Sequence, residues 1–360
     1  MKKFFALLLT LAMVLSLAAC SEKKEETKEE TTTETTETTE TTEAPAEYPH
    51  KSITMIVPYG AGGTTDLVGR QLAIALGEAL GVSIVVENQA GASGSIGCQA
   101  VLDAEPDGST ILFTAESLGT QRVMGISELS YADYSPIMVT ANDPKVIVVA
   151  ADSPYETIED LLAAIEAAPN TIQMAYTGPG GSGHVQALIM NKFGYEPALP
   201  AYSSGSDGIV AVMSGQVAFT NSNYSSVASY IANGDLKMLA VCSTERLPAY
   251  PDVPAMSEVI EGSDYYMSIP YTPLSLMVDK DVPAEIQDML SAACAEAVQN
   301  EAFNAWMEEN NVDKLYEKYT TVEEMTNFFS EWESTVSWLI YDAGAATYSP
   351  EDFGIARPAN

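Results

Sequence analysis

The chain has 360 residues, with 50 acidic side chains against 16 basic ones and a formal charge of −34 at pH 7. So acidic a protein is a poor match for nucleic acid, and its own surface does not suit docking onto anionic lipid. With 46% hydrophobic residues and only four cysteines, it has material for a sizeable core but no obvious disulfide framework.

The first residues suggest export. Lys2 and Lys3 precede an apolar stretch, Phe4 to Leu17, that is too short to span a bilayer comfortably. Leu17-Ala18-Ala19-Cys20 then reads as a lipobox, cleaved before Cys20, whose sulfur would carry a diacylglyceryl group. Residues 1–20 are thus expected to be a lipoprotein signal peptide. Residues 21–47 contain ten Glu and ten Thr and almost no apolar surface, the composition of a disordered tether. Residues 48–360 hold eleven Lys or Arg against forty Asp or Glu, and are long enough for two lobes with separate cores. Within them Cys98, Cys242 and Cys294 show no metal-ligand spacing and are read as small buried apolar groups.

Ile53 to Val57 reads as a strand ended by Pro58, and Gly60, Gly62 and Gly63 form a tight turn. From Thr64 the apolar residues fall at helical spacing, through Val68, Leu72, Ala75 and Leu76, until Gly81. Asp66 sits in the first turn, where the helix dipole favours a carboxylate. Such a loop aims unpaired N–H groups at whatever lies beyond the strand, which suits an anion, although glycine-rich strand–helix turns that bind nothing are equally common. Strands at 82–87 and 110–114 follow, with the small-residue loop 88–97 and a short helix between them. Two more strands, Pro136 to Thr140 and Lys145 to Ala150, flank a break at Asn142-Asp143-Pro144. This alternation is the grammar of a parallel sheet covered by helices.

The grammar then restarts. Thr157-Ile-Glu-Asp160 resembles a capping box before a helix over 161–167. A strand over 172–176 leads into Thr177-Gly-Pro-Gly-Gly-Ser-Gly-His184 and a helix over 185–193. A short strand over 199–202, a polar loop over 203–208, a helix over 209–213 and strands over 216–221 and 236–242 follow. After Ile269-Pro-Tyr-Thr-Pro273 come a strand over 275–278 and helices over 284–299, 302–310 and 322–339, a tail expected to return to the first lobe. The expected layout is lobe 1 from 48–142 and 270–360, lobe 2 from 143–269, and a ligand cleft between them.

Several motifs, in order, resemble the substrate-binding receptors of tripartite tricarboxylate transporters, the Bug family. They are Ile56-Val-Pro-Tyr-Gly-Ala-Gly-Gly-Thr-Thr-Asp66 with Arg70, Val86-Glu-Asn88 with Gly91 to Gly97, and Pro106-Asp-Gly108. Tyr176 to His184, Pro200-Ala-Tyr202, Ser214-Gly-Gln-Val217, and Glu245-Arg246 with Pro251-Asp-Val-Pro254 and Glu258 continue the series. The resemblance implies a two-lobed type II periplasmic-binding-protein fold of α/β class with two interlobe crossings. It also implies a monomeric extracytoplasmic receptor, without cofactor or catalysis, that takes a di- or tricarboxylate or an acidic amino acid to a membrane permease.

In that frame Tyr59, Ala61, Gly62, Gly63, Thr64, Thr65 and Asp66 form one side of the expected site, and Thr177, Gly178, Gly181, Ser182 and His184 the other. Tyr202, Ser203, Ser204 and Asn221 complete it, and Glu116 would fit a ligand amino group. Arg70, four residues after Asp66, is better placed for an intrahelical ion pair than for a ligand. His184 at a helix start suits capping or packing as well as ligand contact. Asn88-Gln89 lacks the arginine expected after the asparagine. The Debye length, about 8 Å at physiological ionic strength, lets local donors decide anion binding despite the overall charge. Two other functions fit parts of the sequence. A ligand sensor for a membrane kinase would look the same. An α/β hydrolase using Ser182 and His184 lacks a nucleophile elbow and an orienting acid.

Overall fold

The computed structural model describes residues 47–358. The expected signal peptide, Cys20 and all of the tether before Glu47 lie outside the described residues.

Strand β1 (Ser52–Val57) ends at Pro58, and helix α1 (Thr64–Leu80) starts after the extended Gly63. Gly81 closes α1 in the left-handed conformation, φ 67°, where its N–H reaches the carbonyls of Gly77 and Glu78. Strand β2 (Ser83–Asn88), α2 (Ser95–Leu102) and β3 (Thr110–Thr114) follow. Next come β4 (Tyr134–Asn142) and β5 (Lys145–Ala150), separated by Asp143 and Pro144. Helix α3 (Ile158–Ala167) carries the expected capping box, Thr157 and Asp160 each bonding the other's backbone N–H. The middle of the chain is β6 (Met174–Ala175), α4 (Ser182–Lys192), α5 (Gly205–Met213), β7 (Phe219–Asn223), α6 (Tyr224–Asn233) and β8 (Leu236–Val241). Short helices α7 (Met256–Val259) and α8 (Asp264–Met267) lead to β9 (Pro273–Asp279). The last elements are α9 (Ala284–Ala297), α10 (Glu301–Glu309), β10 (Asp313–Lys314) and α11 (Val322–Asp342).

The strands make two sheets, ordered β10-β4-β9-β3-β1-β2 and β6-β7-β5-β8. The first is parallel only where βαβ units build it, β1 with β2 and β3. Strand β9 lies antiparallel between β3 and β4. In the second sheet β5 is antiparallel to both β7 and β8. Both sheets are therefore mixed, which corrects the parallel expectation. The antiparallel strands β4, β5 and β9 are those that carry the chain out of one sheet and into the other, without covering helices to turn them parallel. The two crossings are tied side by side: Thr272 N–H donates to Asn142 Oδ1 at 3.2 Å, and Asn223 Nδ2 donates to the Asp143 carbonyl and to Thr272 Oγ1 at 2.9 Å each.

Some local expectations shift. Helix α4 starts at Ser182 rather than Val185, and most of the loop 203–208 is the first turn of α5, capped by Ser204. The strand expected over 199–202 reduces to isolated bridges at Ala198 and Ala201, and that over 172–176 to Met174–Ala175. The strand expected over 216–221 is displaced to Phe219–Asn223. Helix α6 has no counterpart in the sequence expectations, although Tyr224, Val227, Ala228 and Ile231 fall at helical spacing, because its start, Tyr224-Ser-Ser, lacks a helix signal. The tail helix α11 packs on β4 and on the turn 116–120, but also on α4. Phe328, Phe329 and Trp332 are buried in a core that includes Ile147, Val185 and Ile189, and Trp332 Nε1 donates to the Pro270 carbonyl at 2.8 Å. This helix therefore braces the elements of both sheets.

Candidate functional site

The glycine-rich turn after β1 has few hydrogen-bonding groups to spare, and the structure shows where each goes. Asp66 Oδ2 accepts the Gly62 N–H at 2.9 Å, while Oδ1 meets Arg70 at 2.8 Å and Asn88 Nδ2 at 2.9 Å. These contacts, with the Arg70 guanidinium among them, outweigh burial and hold the Asp66 carboxyl below the usual carboxylate range. Asn88 Nδ2 also donates to the Tyr59 carbonyl at 3.1 Å, and its Oδ1 accepts from Arg70. Asp66, Asn88 and Arg70 thus lock the turn from behind. The following N–H groups of Thr64 and Thr65 are left without an acceptor among the described residues, and no side chain caps the helix.

Those N–H groups border a cavity of about 520 Å³ between the two sheets. Its near wall is the turn after β1, the loop 90–94 and the end of β3. Its far wall is 175–177, the N-terminus of α4, the start of α5 and the end of β7. Tyr59 OH and Ser117 Oγ lie 2.5 Å apart on the near wall. Gly94 is required beside them: its φ is 91°, and a Cβ there would stand 3.2 Å from the Tyr59 ring and 3.3 Å from Ser117 Oγ.

Of the residues expected in the site, Tyr59, Gly63, Thr64, Thr65, Glu116, Thr177, Gly181, Ser182, Tyr202, Ser203, Ser204 and Asn221 line this cavity. Five do not. Ala61 and Gly62 are exposed on the outer side of the turn, and the Gly62 N–H is already engaged by Asp66. Asp66 is turned inward to its own helix and to Arg70. Gly178 serves the chain reversal, at φ 113°. His184 accepts the Gly180 N–H at Nδ1, 3.2 Å, and its ring packs against Tyr176. Burial lowers its pKa, and no Ser182–His184 hydrogen bond occurs among the described residues.

The structure adds residues that the sequence reading missed. Lys145, the first residue of β5, is buried on the cavity wall, where its Nζ donates to Asn223 Oδ1 at 2.9 Å. Burial lowers its pKa, while Glu116 and Asp143 oppose that shift, and among the described residues it forms no salt bridge. The one available signal was a lysine heading the otherwise apolar run Lys145 to Ala150, all buried except its last residue. Ser117, Ser222, Asn223, Ser226 and Thr272 also face the cavity.

Behind the wall lies Asp143, fully buried at the first crossing. It accepts from Thr64 Oγ1 at 2.8 Å and from Ser225 Oγ at 2.5 Å, joining α1 to α6. Burial outweighs these bonds and raises its pKa to about 6. The far helix differs from the near one. Ser182 N–H donates to Glu116 Oε1 at 2.6 Å, and Thr120 Oγ1 and Ser93 Oγ donate to the carbonyls of Gly180 and Pro179. Asn221 Oδ1 is buried without a donor, an arrangement that costs on the order of 1–3 kcal/mol unless something fills it.

Comparison with known proteins agrees with this architecture. Residues 68–335 match the model of the tripartite tricarboxylate transporter family receptor. The protein BugT of Bordetella pertussis is 30% identical over 260 residues, 71% of this chain and 78% of BugT. The solved periplasmic binding protein BugD superposes with a TM-score of 0.76 at 25% identity, covering 83% of this chain and 99% of BugD. An R. palustris protein solved with adipate shares the fold at a TM-score of 0.73 and 22% identity, over 83% of this chain and 99% of its own.

Proposed function

The chain belongs to the tripartite tricarboxylate transporter receptor family, and on that premise we propose that it is a lipid-anchored extracytoplasmic receptor. It captures a small carboxylate between its lobes and delivers it to the membrane permease of a tripartite tricarboxylate-type transporter. Cys20 carries the lipid and residues 21–47 form the tether. Lobe 1 is 48–142 with 270–360, and lobe 2 is 143–269. The receptor acts as a monomer.

The observation that carries this reading is the pair of unfilled N–H groups, Thr64 and Thr65, at the N-terminus of a 17-residue helix opening on the cavity. The partial positive charge of the helix end and its two unfilled donors suit one carboxylate, and the buried Lys145 also lines the cavity, from the second sheet. Thr64 also ties the near helix to Asp143 at the crossing between the two sheets. Adipate in the R. palustris relative supports the ligand class.

A thermal-shift screen of the purified protein against mono-, di- and tricarboxylates tests the reading. A ligand that binds only the folded state, present at a hundred times its Kd, stabilises it by about 2.7 kcal/mol, seen as a higher melting temperature. No shift with any carboxylate would contradict it.

A further inference from the structure

Two helix starts face the cavity, each after a glycine-rich turn, and they are not equivalent. At α1 the N–H groups of Thr64 and Thr65 have no acceptor among the described residues. At α4 the first N–H, that of Ser182, is taken by a carboxylate of the protein itself, Glu116 Oε1 at 2.6 Å. Glu116 follows β3 on the same wall as Thr64 and Thr65, is 6% exposed, and reaches across to the far wall. Neighbouring bonds fix that reach. Thr120, in the same turn as Glu116, donates from Oγ1 to the Gly180 carbonyl at 2.8 Å, and Ser93 Oγ donates to the Pro179 carbonyl at 3.1 Å. The turn before α4 is thus pinned against the wall that carries Glu116. Charge gives an independent count. Among the described residues only two charged side chains line the cavity, Lys145 and Glu116, one of each sign. The α1 end is free for one ligand carboxylate. A second would find at α4 only the Gly183 N–H, beside Glu116 at like charge.

We propose that Glu116 sets the specificity of this receptor: it fills the α4 end with the protein's own carboxylate, so that the cavity selects ligands with one carboxylate and an uncharged far end against dicarboxylates. The inference rests on the receptor reading and departs from the di- and tricarboxylates and acidic amino acids that the family resemblance implies. A second ligand carboxylate has two ways in, and both are costly. Displacing Glu116 strips a buried charge of the one hydrogen bond its carboxylate accepts among the described residues. Sitting beside it places two like charges in a cavity with a single ammonium. An amide or hydroxyl at that end meets neither cost, and it can donate to the second Glu116 oxygen, which accepts from no group among the described residues.

Titration calorimetry at neutral pH with matched probes tests this. Succinate, glutarate and adipate are each paired with the monoamide, succinamate, glutaramate or adipamate, which has nearly the same shape and one charge fewer. The wild-type protein is expected to bind at least one monoamide roughly tenfold or more tighter than its parent dicarboxylate, the scale of one charged contact. In Glu116→Ala, which leaves the Ser182 N–H free, that preference should fall by about tenfold or more. Glu116→Gln keeps an acceptor for Ser182 and removes the charge, and should lower the preference too; it carries the test if the alanine variant does not fold. Wild-type preference for the dicarboxylates would overturn the inference and leave the receptor reading intact, and that arm needs no variant. Equal preference in wild type and in the folded variants would overturn the role of Glu116. Binding of none of these probes would also overturn the inference, and the receptor reading falls with it only if the wider carboxylate screen is silent as well.

Discussion

Asp143→Asn isolates the buried carboxyl at the crossing between the two sheets. Asp143 is fully buried, and desolvation raises its pKa from 3.8 to about 6 against the pull of Ser225, Thr64 and Lys145. A raised carboxyl pKa means that the folded state holds the proton more tightly than the unfolded chain. The stabilisation is therefore complete below about pH 4, declines between about pH 4 and 6, and is lost above that. At roughly 1.4 kcal/mol per unit, the shift corresponds to about 3 kcal/mol. Asparagine keeps an acceptor for one hydroxyl and can donate to the other, but does not ionise. Urea unfolding of both proteins across this range should show the stability difference moving in the variant's favour by about 3 kcal/mol as pH rises. A difference that stays constant with pH, or moves the other way, would refute the assignment of a buried, proton-retaining carboxyl at this crossing.

Other predictions test the site and its frame. Lys145→Met removes the buried ammonium from the cavity wall and should weaken carboxylate binding about 10- to 100-fold by calorimetry, as loss of one charged hydrogen bond would; unchanged affinity would remove Lys145 from the site. Asp66→Ala frees Gly62, Asn88 and Arg70 at once and should cost about 2–3 kcal/mol in urea unfolding, with weaker binding, because the turn loses its support. In Gly180→Ala, a Cβ at φ 82° would lie 2.8 Å from Thr120 Oγ1, so the bond from Thr120 to the Gly180 carbonyl must give way. That variant should melt lower, by about 1–2 kcal/mol in stability. Cys98, Cys242 and Cys294 are buried, with thiols pushed up to about 12, and peptide mapping after treatment with a thiol reagent at pH 8 should find them unlabelled until the protein unfolds. Cys20→Ala should move the protein from the membrane fraction to the soluble one, and membrane retention would contradict the lipid anchor.

The near half of the site was legible because its geometry is local. Pro58, the glycines, Thr64 and Asp66 lie in one continuous stretch, and the i, i+4 spacing of Asp66 and Arg70 foretold their 2.8 Å ion pair. Glu116 reads from the sequence as a carboxylate suited to a ligand amino group, but its bond to Ser182 spans 66 residues and depends on how the two sheets face each other. Local periodicity carries no such information. Lys145 looked like the start of an ordinary strand, and its burial follows from pairing with Asn223 on β7. The parallel alternation expected along the first half of the chain holds for β1, β2 and β3 and stops there. Strand β9 inserts from the far end of the chain, and no nearby residue announces that insertion. His184 and Gly178 shared a motif with Ser182 and Gly181 but have roles inside the turn, since neighbours along a tight loop point in different directions.

The ligand's carboxylate should sit on the free N-terminus of α1. The direct measurement is a crystal structure of the protein grown with whichever carboxylate raises its melting temperature most. Carboxylate oxygens are expected within roughly 3 Å of the Thr64 and Thr65 backbone nitrogens. A bound carboxylate elsewhere, with those two N–H groups left to water, would contradict it.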